Sequence, residues 1–106
     1  MSLMEHLRRP DINKGYHTYR TTPDAMLVDV RTEEEYRQGH LPGSINLPLH
    51  ILPLTSRLPD RADMPLFLYC RSGARSAQAA AMLASMGYTR VANIGGILSY
   101  QGDLEN

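Results

Sequence analysis

The chain has 106 residues, the length of one ordinary domain, which leaves no room for a second catalytic domain. Its 11 basic and 11 acidic residues give a formal net charge of zero, and a general nucleic-acid-binding surface is excluded because it needs a basic excess. No apolar run reaches the roughly 18 residues of a membrane span, so neither nucleic acid nor a membrane is expected as a partner.

Cys70 is the only cysteine of the chain. This excludes an intramolecular disulfide, a resolving thiol on the same chain and any multi-cysteine metal site. A lone thiol fits a reducing compartment, and we expect a cytoplasmic location. The four histidines lack metal-ligand spacing, and Gly95-Gly96 does not form a dinucleotide fingerprint, so neither a metal nor a cofactor is expected.

Residues 1–10 contain no apolar segment of the kind found in secretory signals, and we expect them to form a flexible N-terminus. Met1–Leu3 precede a second methionine and are interpreted as residues left by cloning. The predicted single domain therefore covers residues 11–106.

Four short segments are predicted strands, and the two most apolar of them are typical of a buried parallel sheet. The four are Ala25–Val30, Ser44–Leu47, Leu66–Cys70 and Arg90–Ile94. Gly95-Gly96, directly after the last of them, predicts a turn.

Helical signals separate the strands. The predicted helical segments are a stripe through Ile12, Tyr16 and Tyr19, a short helix after Thr32 that ends at Gly39, one or two turns within His50–Leu58, a helix over Ser76–Met86 and a turn within Ile97–Gln101. Thr32 and Glu35 form a capping-box pattern, with a hydroxyl at the N-cap and a carboxylate three residues later. Strands that alternate with helices indicate an α/β fold with a mainly parallel sheet.

The segment Leu68–Ser76 carries the most chemical information. Cys70 stands where a buried strand ends, and a short loop with Gly73 leads from it into a helix. Ligands of open α/β sheets bind beyond the carboxyl ends of the strands, and the N-terminus of a helix favours an anion. Arg71 and Arg75 flank the same loop. Each of these features stabilises a thiolate over a thiol, although a lone cysteine after an apolar strand is often only a small core residue.

Four motifs together resemble the rhodanese-type sulfurtransferases, in the expected order and over residues 25–102. The motifs are the loop Cys70–Arg75, the segment Leu27–Arg31 with Glu34-Glu35-Tyr36 after it, the segment Gly39–Pro48, and a C-terminal pattern of Gly87-Tyr88, Val91, Asn93 and Gly95-Gly96. Members of that family often have Trp where this chain has Tyr100, so the packing of the C-terminus is expected to differ.

The resemblance implies a three-layer fold, with a mainly parallel five-stranded sheet and helices on both faces. It implies a catalytic Cys70 that carries a persulfide, with the outer sulfur held by the backbone amides of the loop. Those substrate-binding residues are Arg71, Ser72, Gly73, Ala74, Arg75 and Ser76. The implied partners are a small anionic sulfur donor, such as thiosulfate, and an acceptor that is cyanide or a thiol, including a protein thiol.

Two other functions stay open at this point. A non-catalytic rhodanese-like module is one, although inactive members usually lack the loop cysteine. A phosphatase or arsenate reductase of the same fold is the other, but those loops have five residues between Cys and Arg. Here only four residues separate Cys70 from Arg75, and such a loop suits one sulfur better than a tetrahedral oxyanion.

Three further residues have both a functional and a structural interpretation. Asp29 and Arg31 lie at or just past the carboxyl end of a strand, so one interpretation is that they support the active-site loop. The favoured interpretation is a structural salt bridge, such as one between Arg31 and Glu34 or Glu35. His40 precedes a turn and is expected to be a structural hydrogen-bonding residue and not a proton carrier.

Overall fold

The computed structural model describes residues 10–106. Its strands are β1 (Met26–Asp29), β2 (Ile45–Asn46), β3 (Leu66–Cys70) and β4 (Val91–Gly96). Its α-helices are α1 (Ile12–Thr21), α2 (Glu33–Gln38) and α3 (Ala74–Ser85), and two 3-10 segments cover Leu49–Leu54 and Ile97–Ser99. This element order confirms the α/β class. The flexible N-terminus was expected over residues 1–10, and of these the structure describes only Pro10.

The four strands are all parallel and form one sheet in the order β2-β1-β3-β4. The fifth strand that the resemblance implied is absent from residues 10–106. An isolated antiparallel bridge joins His40 to Glu105 instead, through two backbone hydrogen bonds of 2.8 and 2.9 Å. The next hydrogen-bonded pair of such a ladder would need the backbone N–H of residue 42, which is Pro42, and the bridge therefore does not extend into a strand.

Helices cover both faces of the sheet, as expected. Side chains alternate along β3, so that Leu66, Leu68 and Cys70 belong to one core cluster and Phe67 and Tyr69 to the other. The first cluster lies beneath α3 and the 3-10 segment at 49–54, and the second lies beneath α1. Every residue of β3 is buried, as in the central strand of a parallel sheet.

Tyr100, the position at which the resemblance suggests Trp, packs into the second core cluster. Its ring meets the ring of Tyr16 edge-on, with the ring centres 5.5 Å apart. The 3-10 segment that precedes it is the helical turn expected within Ile97–Gln101.

One local prediction about helices is confirmed in the structure, and another needs its boundary corrected. The capping box of α2 is present, since Thr32 Oγ1 accepts from the backbone N–H of Glu35 at 3.2 Å and Glu35 Oε1 accepts from that of Thr32 at 3.0 Å. Helix α3 starts at Ala74, two residues earlier than predicted, because Gly73 closes the loop with a φ of 101° that favours glycine.

The turn predicted at Gly95-Gly96 is wrong, because both glycines belong to β4. The pairing of β3 with β4 shifts between Leu68–Asn93 and Tyr69–Gly95, which leaves one extra residue in β4. This is a β-bulge, and Gly95 accommodates it with a φ of 110°. A glycine pair ending a strand is locally indistinguishable from a turn, and only its pairing with β3 decides between the two.

Within residues 10–106, no helix is long and apolar enough to cross a membrane.

Candidate active site

Cys70 lies at the topological switch point of the sheet, between β1 and β3. The chain passes from β1 to β2 on one side and from β3 to β4 on the other, so the carboxyl ends of β1 and β3 flank the switch point. Such a point is where open α/β sheets bind their ligands. Cys70 is the last residue of β3 and is only 1% exposed, so its sulfur is buried beneath the loop.

Three donors from the following loop and helix surround the Cys70 sulfur. The backbone N–H of Gly73 donates to Sγ at 3.0 Å, and the backbone N–H and hydroxyl of Ser76 each lie 3.4 Å from it. The donors come from Gly73, the N-cap of α3, and from Ser76 in the first turn of that helix. The sulfur therefore faces the first turn of α3, where unpaired N–H groups and the positive end of the helix dipole favour a negative charge.

Burial and hydrogen bonding act in opposite directions on this thiol. Burial alone would raise the pKa of Cys70 and is the largest single influence. The Ser76 hydroxyl and the N–H groups of Ser76, Gly73 and Ser72 together outweigh it, and they lower the pKa of Cys70 below its ordinary value. The thiolate, which is the nucleophilic form, is thereby favoured.

Asn93 links the loop to β4, and nothing in the sequence pattern assigned it a role at the site. Its Oδ1 accepts from the Ser76 hydroxyl at 2.7 Å and from the Gly95 N–H at 3.0 Å, and its Nδ2 donates to the Gly73 carbonyl at 3.2 Å. The β-bulge explains the contact with Gly95. The Ser76 hydroxyl has one proton and three acceptors within reach, so at a given moment it donates to Asn93, to the Gly73 carbonyl or to Cys70.

The loop backbone rests directly on β4 at Gly96. A methyl group on Gly96 would collide with the backbone of Arg71 and Ser72. The Leu98 N–H donates to the Arg71 carbonyl at 3.2 Å and closes the far side of the loop. These contacts hold the loop backbone against β4 and the segment that follows it.

The two loop arginines have different surroundings. Arg71 is exposed, and within residues 10–106 no carboxylate forms an ion pair with it. Arg75 is half-buried and binds Glu35 of α2 through two contacts of 2.7 and 3.0 Å. Ser72 and Ala74 are exposed, and Ser76 is buried. The predicted substrate-binding role of the loop residues stays a prediction. In this structure, however, both terminal nitrogens of the Arg75 guanidinium bind a carboxylate.

The salt bridge of Arg31 is structural, as expected, but the expected partner, Glu34 or Glu35, is wrong, because Arg31 pairs with Asp29. Arg31 binds the buried carboxylate of Asp29 at 2.7 Å and donates to the Gly39 carbonyl at 2.7 Å. Glu35 instead pairs with Arg75. Asp29 pairs with Tyr69 in the sheet, on the face opposite the cluster that contains Cys70.

Within residues 10–106, the side-chain contacts of His40 are with Tyr36, in keeping with the expected structural role. Its Nδ1 lies 2.8 Å from the Tyr36 carbonyl, and its ring stacks on the Tyr36 ring with centres 3.6 Å apart. These contacts hold the end of α2 against the segment that leads into β2.

Comparison with known proteins agrees with this arrangement. Residues 13–103 match the family described as Rhodanese-like domain. A protein named "Sulfurtransferase" from Allochromatium vinosum is 47% identical over 74% of this chain and 74% of its own length. The "Thiosulfate sulfurtransferase PspE" from Escherichia coli is 42% identical over 66% of this chain and 68% of its own length.

A solved structure described as a rhodanese with anions from E. coli superposes with a TM-score of 0.67 at 35% identity. The match covers 76% of this chain and 96% of that one. With its parallel sheet, its cysteine at the end of β3 and these matches, the chain belongs to the rhodanese-like domain family.

Proposed function

We propose that this protein is a thiosulfate sulfurtransferase that works through a persulfide on Cys70. The observation that carries the proposal is the set of donors around Sγ, from Gly73 and Ser76, which favours the thiolate in a buried position. The Cys70 thiolate attacks the outer sulfur of thiosulfate. The sulfur–sulfur bond of the donor breaks, and sulfite leaves with the electron pair.

The second half of the cycle returns Cys70 to its thiolate. The Cys70 persulfide keeps a negative charge on its outer sulfur, and we propose that N–H groups of the loop, fixed in place before the reaction, donate to that sulfur. A thiolate or cyanide attacks the outer sulfur and forms a bond to it, and the electron pair of the persulfide bond returns to Cys70. A protein thiol suits the acceptor role as well as a small one, and a reducing cytoplasm suits a thiol that has no partner on its own chain.

Two structural details disfavour the competing functions. A phosphatase of this fold needs the loop arginine to bind the phosphate, whereas both terminal nitrogens of Arg75 bind Glu35. A purely non-catalytic module has no need for the three donors on the cysteine sulfur.

Mass spectrometry of the intact protein tests the proposal. After incubation with thiosulfate we expect a mass gain of one sulfur atom that dithiothreitol removes, together with thiocyanate formation when cyanide is added. Cys70→Ser should keep the fold, because the change is small, and lose both signals. Turnover by Cys70→Ser above a few per cent of the wild-type rate would remove Cys70 from the mechanism.

A further inference from the structure

The guanidinium of Arg75 is paired with a carboxylate and is therefore not free to bind an incoming anion. Its Nη1 binds Glu35 Oε1 at 2.7 Å and its Nη2 binds Glu35 Oε2 at 3.0 Å, so both ends of the planar fork face one carboxylate. The side chains are 33% and 26% exposed, which screens this pair from water more than a surface pair. A bidentate contact of this kind fixes orientation as well as charge.

Glu35 is itself fixed in place by the N-cap of α2. Its Oε1 accepts from the backbone N–H of Thr32 at 3.0 Å and from the Thr32 hydroxyl at 3.1 Å, besides binding Arg75. The hydrogen bond from Arg75, supported by those from Thr32, lowers the pKa of Glu35 to about 2. The carboxylate therefore stays ionised wherever the protein is folded and active, and it holds Arg75 toward α2.

The pair changes the charge that an incoming anion meets. Attraction to Glu35 and to the nearby Cys70 thiolate raises the pKa of Arg75, so Arg75 stays a cation close to the reacting sulfur. The carboxylate of Glu35 cancels that charge. Within residues 10–106, Arg71 is then the loop arginine that no ion pair neutralises.

We infer that Glu35 determines donor specificity by neutralising Arg75, so that the site does not exploit the second negative charge of a dianionic donor. The inference rests on the proposed sulfur transfer. It predicts that thiosulfate, a dianion, gains little over a monoanionic thiosulfonate in the wild-type protein. Removing the charge of Glu35 frees Arg75 and shifts the preference toward the dianion.

Glu35→Gln is the decisive variant, because glutamine also completes a capping box and α2 keeps its N-cap. The matched control is Glu34→Gln, which removes one charge from the same exposed turn without touching Arg75. We compare kcat/KM for thiosulfate with kcat/KM for methanethiosulfonate, which gives the same persulfide and releases methanesulfinate. The ratio should rise roughly three- to ten-fold in Glu35→Gln and change less than about two-fold in Glu34→Gln.

Arg75→Gln serves as a second variant in case Glu35→Gln folds poorly. It leaves the Glu35 carboxylate without its cation, so the same ratio should fall below that of the wild type. Opposite shifts in the two variants support the inference. A ratio that stays unchanged, or that shifts in the same direction in both, would overturn it.

Alkylation of Cys70 gives a readout that needs no turnover. Iodoacetate is an anion and iodoacetamide is neutral, so the ratio of their rates reports the charge in front of the sulfur. That ratio should rise in Glu35→Gln and not in Glu34→Gln. Wild-type protein that forms no persulfide with thiosulfate would refute the proposed function, whereas an unchanged alkylation ratio in Glu35→Gln would refute the charge neutralisation itself.

Discussion

At Cys70 the sulfur is both part of the core and the reacting atom. It belongs to the cluster with Val28 and Leu68, yet it accepts hydrogen bonds from Gly73 and Ser76. A cysteine buried in apolar surroundings alone is an inert residue with a raised pKa. The donors from the first turn of α3 are what separate the reactive interpretation from the structural one.

The pH dependence of alkylation by iodoacetamide should therefore have a midpoint below the ~8.5 of an ordinary cysteine. The hydrogen bonds lower the pKa of Cys70 in spite of its burial. Ser76→Ala removes the hydroxyl that donates to the sulfur at 3.4 Å, and we expect the midpoint to rise. Ser85→Ala is the control, since that hydroxyl bonds to the Ala81 carbonyl at the far end of α3. A wild-type midpoint at or above 8.5 would mean that burial dominates.

Among the elements, β4 positions the loop that binds the sulfur. Asn93 lies on β4 and holds both the Gly73 carbonyl and the Ser76 hydroxyl, and Gly96 lets the loop backbone approach. The bulge between them makes both contacts compatible with the pairing of β3 and β4. A change on β4 is thus transmitted to Cys70 although it touches no reacting atom.

Asn93→Asp tests this link with little change in shape. An aspartate loses the donor to the Gly73 carbonyl and places a negative charge near the thiolate, so the thiol pKa should rise and kcat/KM should fall roughly ten-fold or more. The alkylation midpoint and the rate of thiocyanate formation are measured together. A drop in the rate of thiocyanate formation with no shift of the alkylation midpoint would contradict the proposal that Asn93 keeps the thiol pKa low by positioning the loop.

Most features encoded by near neighbours in sequence were predictable, the Asp29–Arg31 pair and the strand that ends at Gly95-Gly96 being exceptions, and features encoded by distant neighbours were not. The capping box joins residues three apart, and the hydrogen-bond donors to the Cys70 sulfur lie three and six residues after it. In contrast, the Arg75–Glu35 pair spans 40 residues and the Ser76–Asn93 contact spans 17. These depend on which strands lie side by side, and strand order leaves no local trace in the sequence.

For the whole molecule, the Arg75–Glu35 pair joins the chain segments that follow β1 and β3. It connects α2 to α3 across the switch point, next to the site. The same contact therefore contributes to the stability of the fold as well as to the charge of the site.

Stability should accordingly depend on pH at the acid end. The folded-state pKa of Glu35 is lowered from 4.5 to about 2, so its contribution is complete above pH 4.5 and is lost as the pH falls through about 2. Thermal unfolding should show Glu35→Gln less stable than the wild type at neutral pH, with the difference shrinking in that acid window. Glu34→Gln should show no such convergence. A difference that is constant with pH would rule out the ion pair as its source.

The all-parallel pairing of the sheet also bears on how the chain folds. Each parallel contact joins strands separated by a crossover, so native contacts are distant along the chain and folding is expected to be slow for its size. Until β3 and α3 are in place, Cys70 is an ordinary thiol, mostly protonated at neutral pH and slow to react with oxidants. The thiol of the newly made chain therefore has low reactivity, and the raised reactivity of this one cysteine arises only when folding is complete.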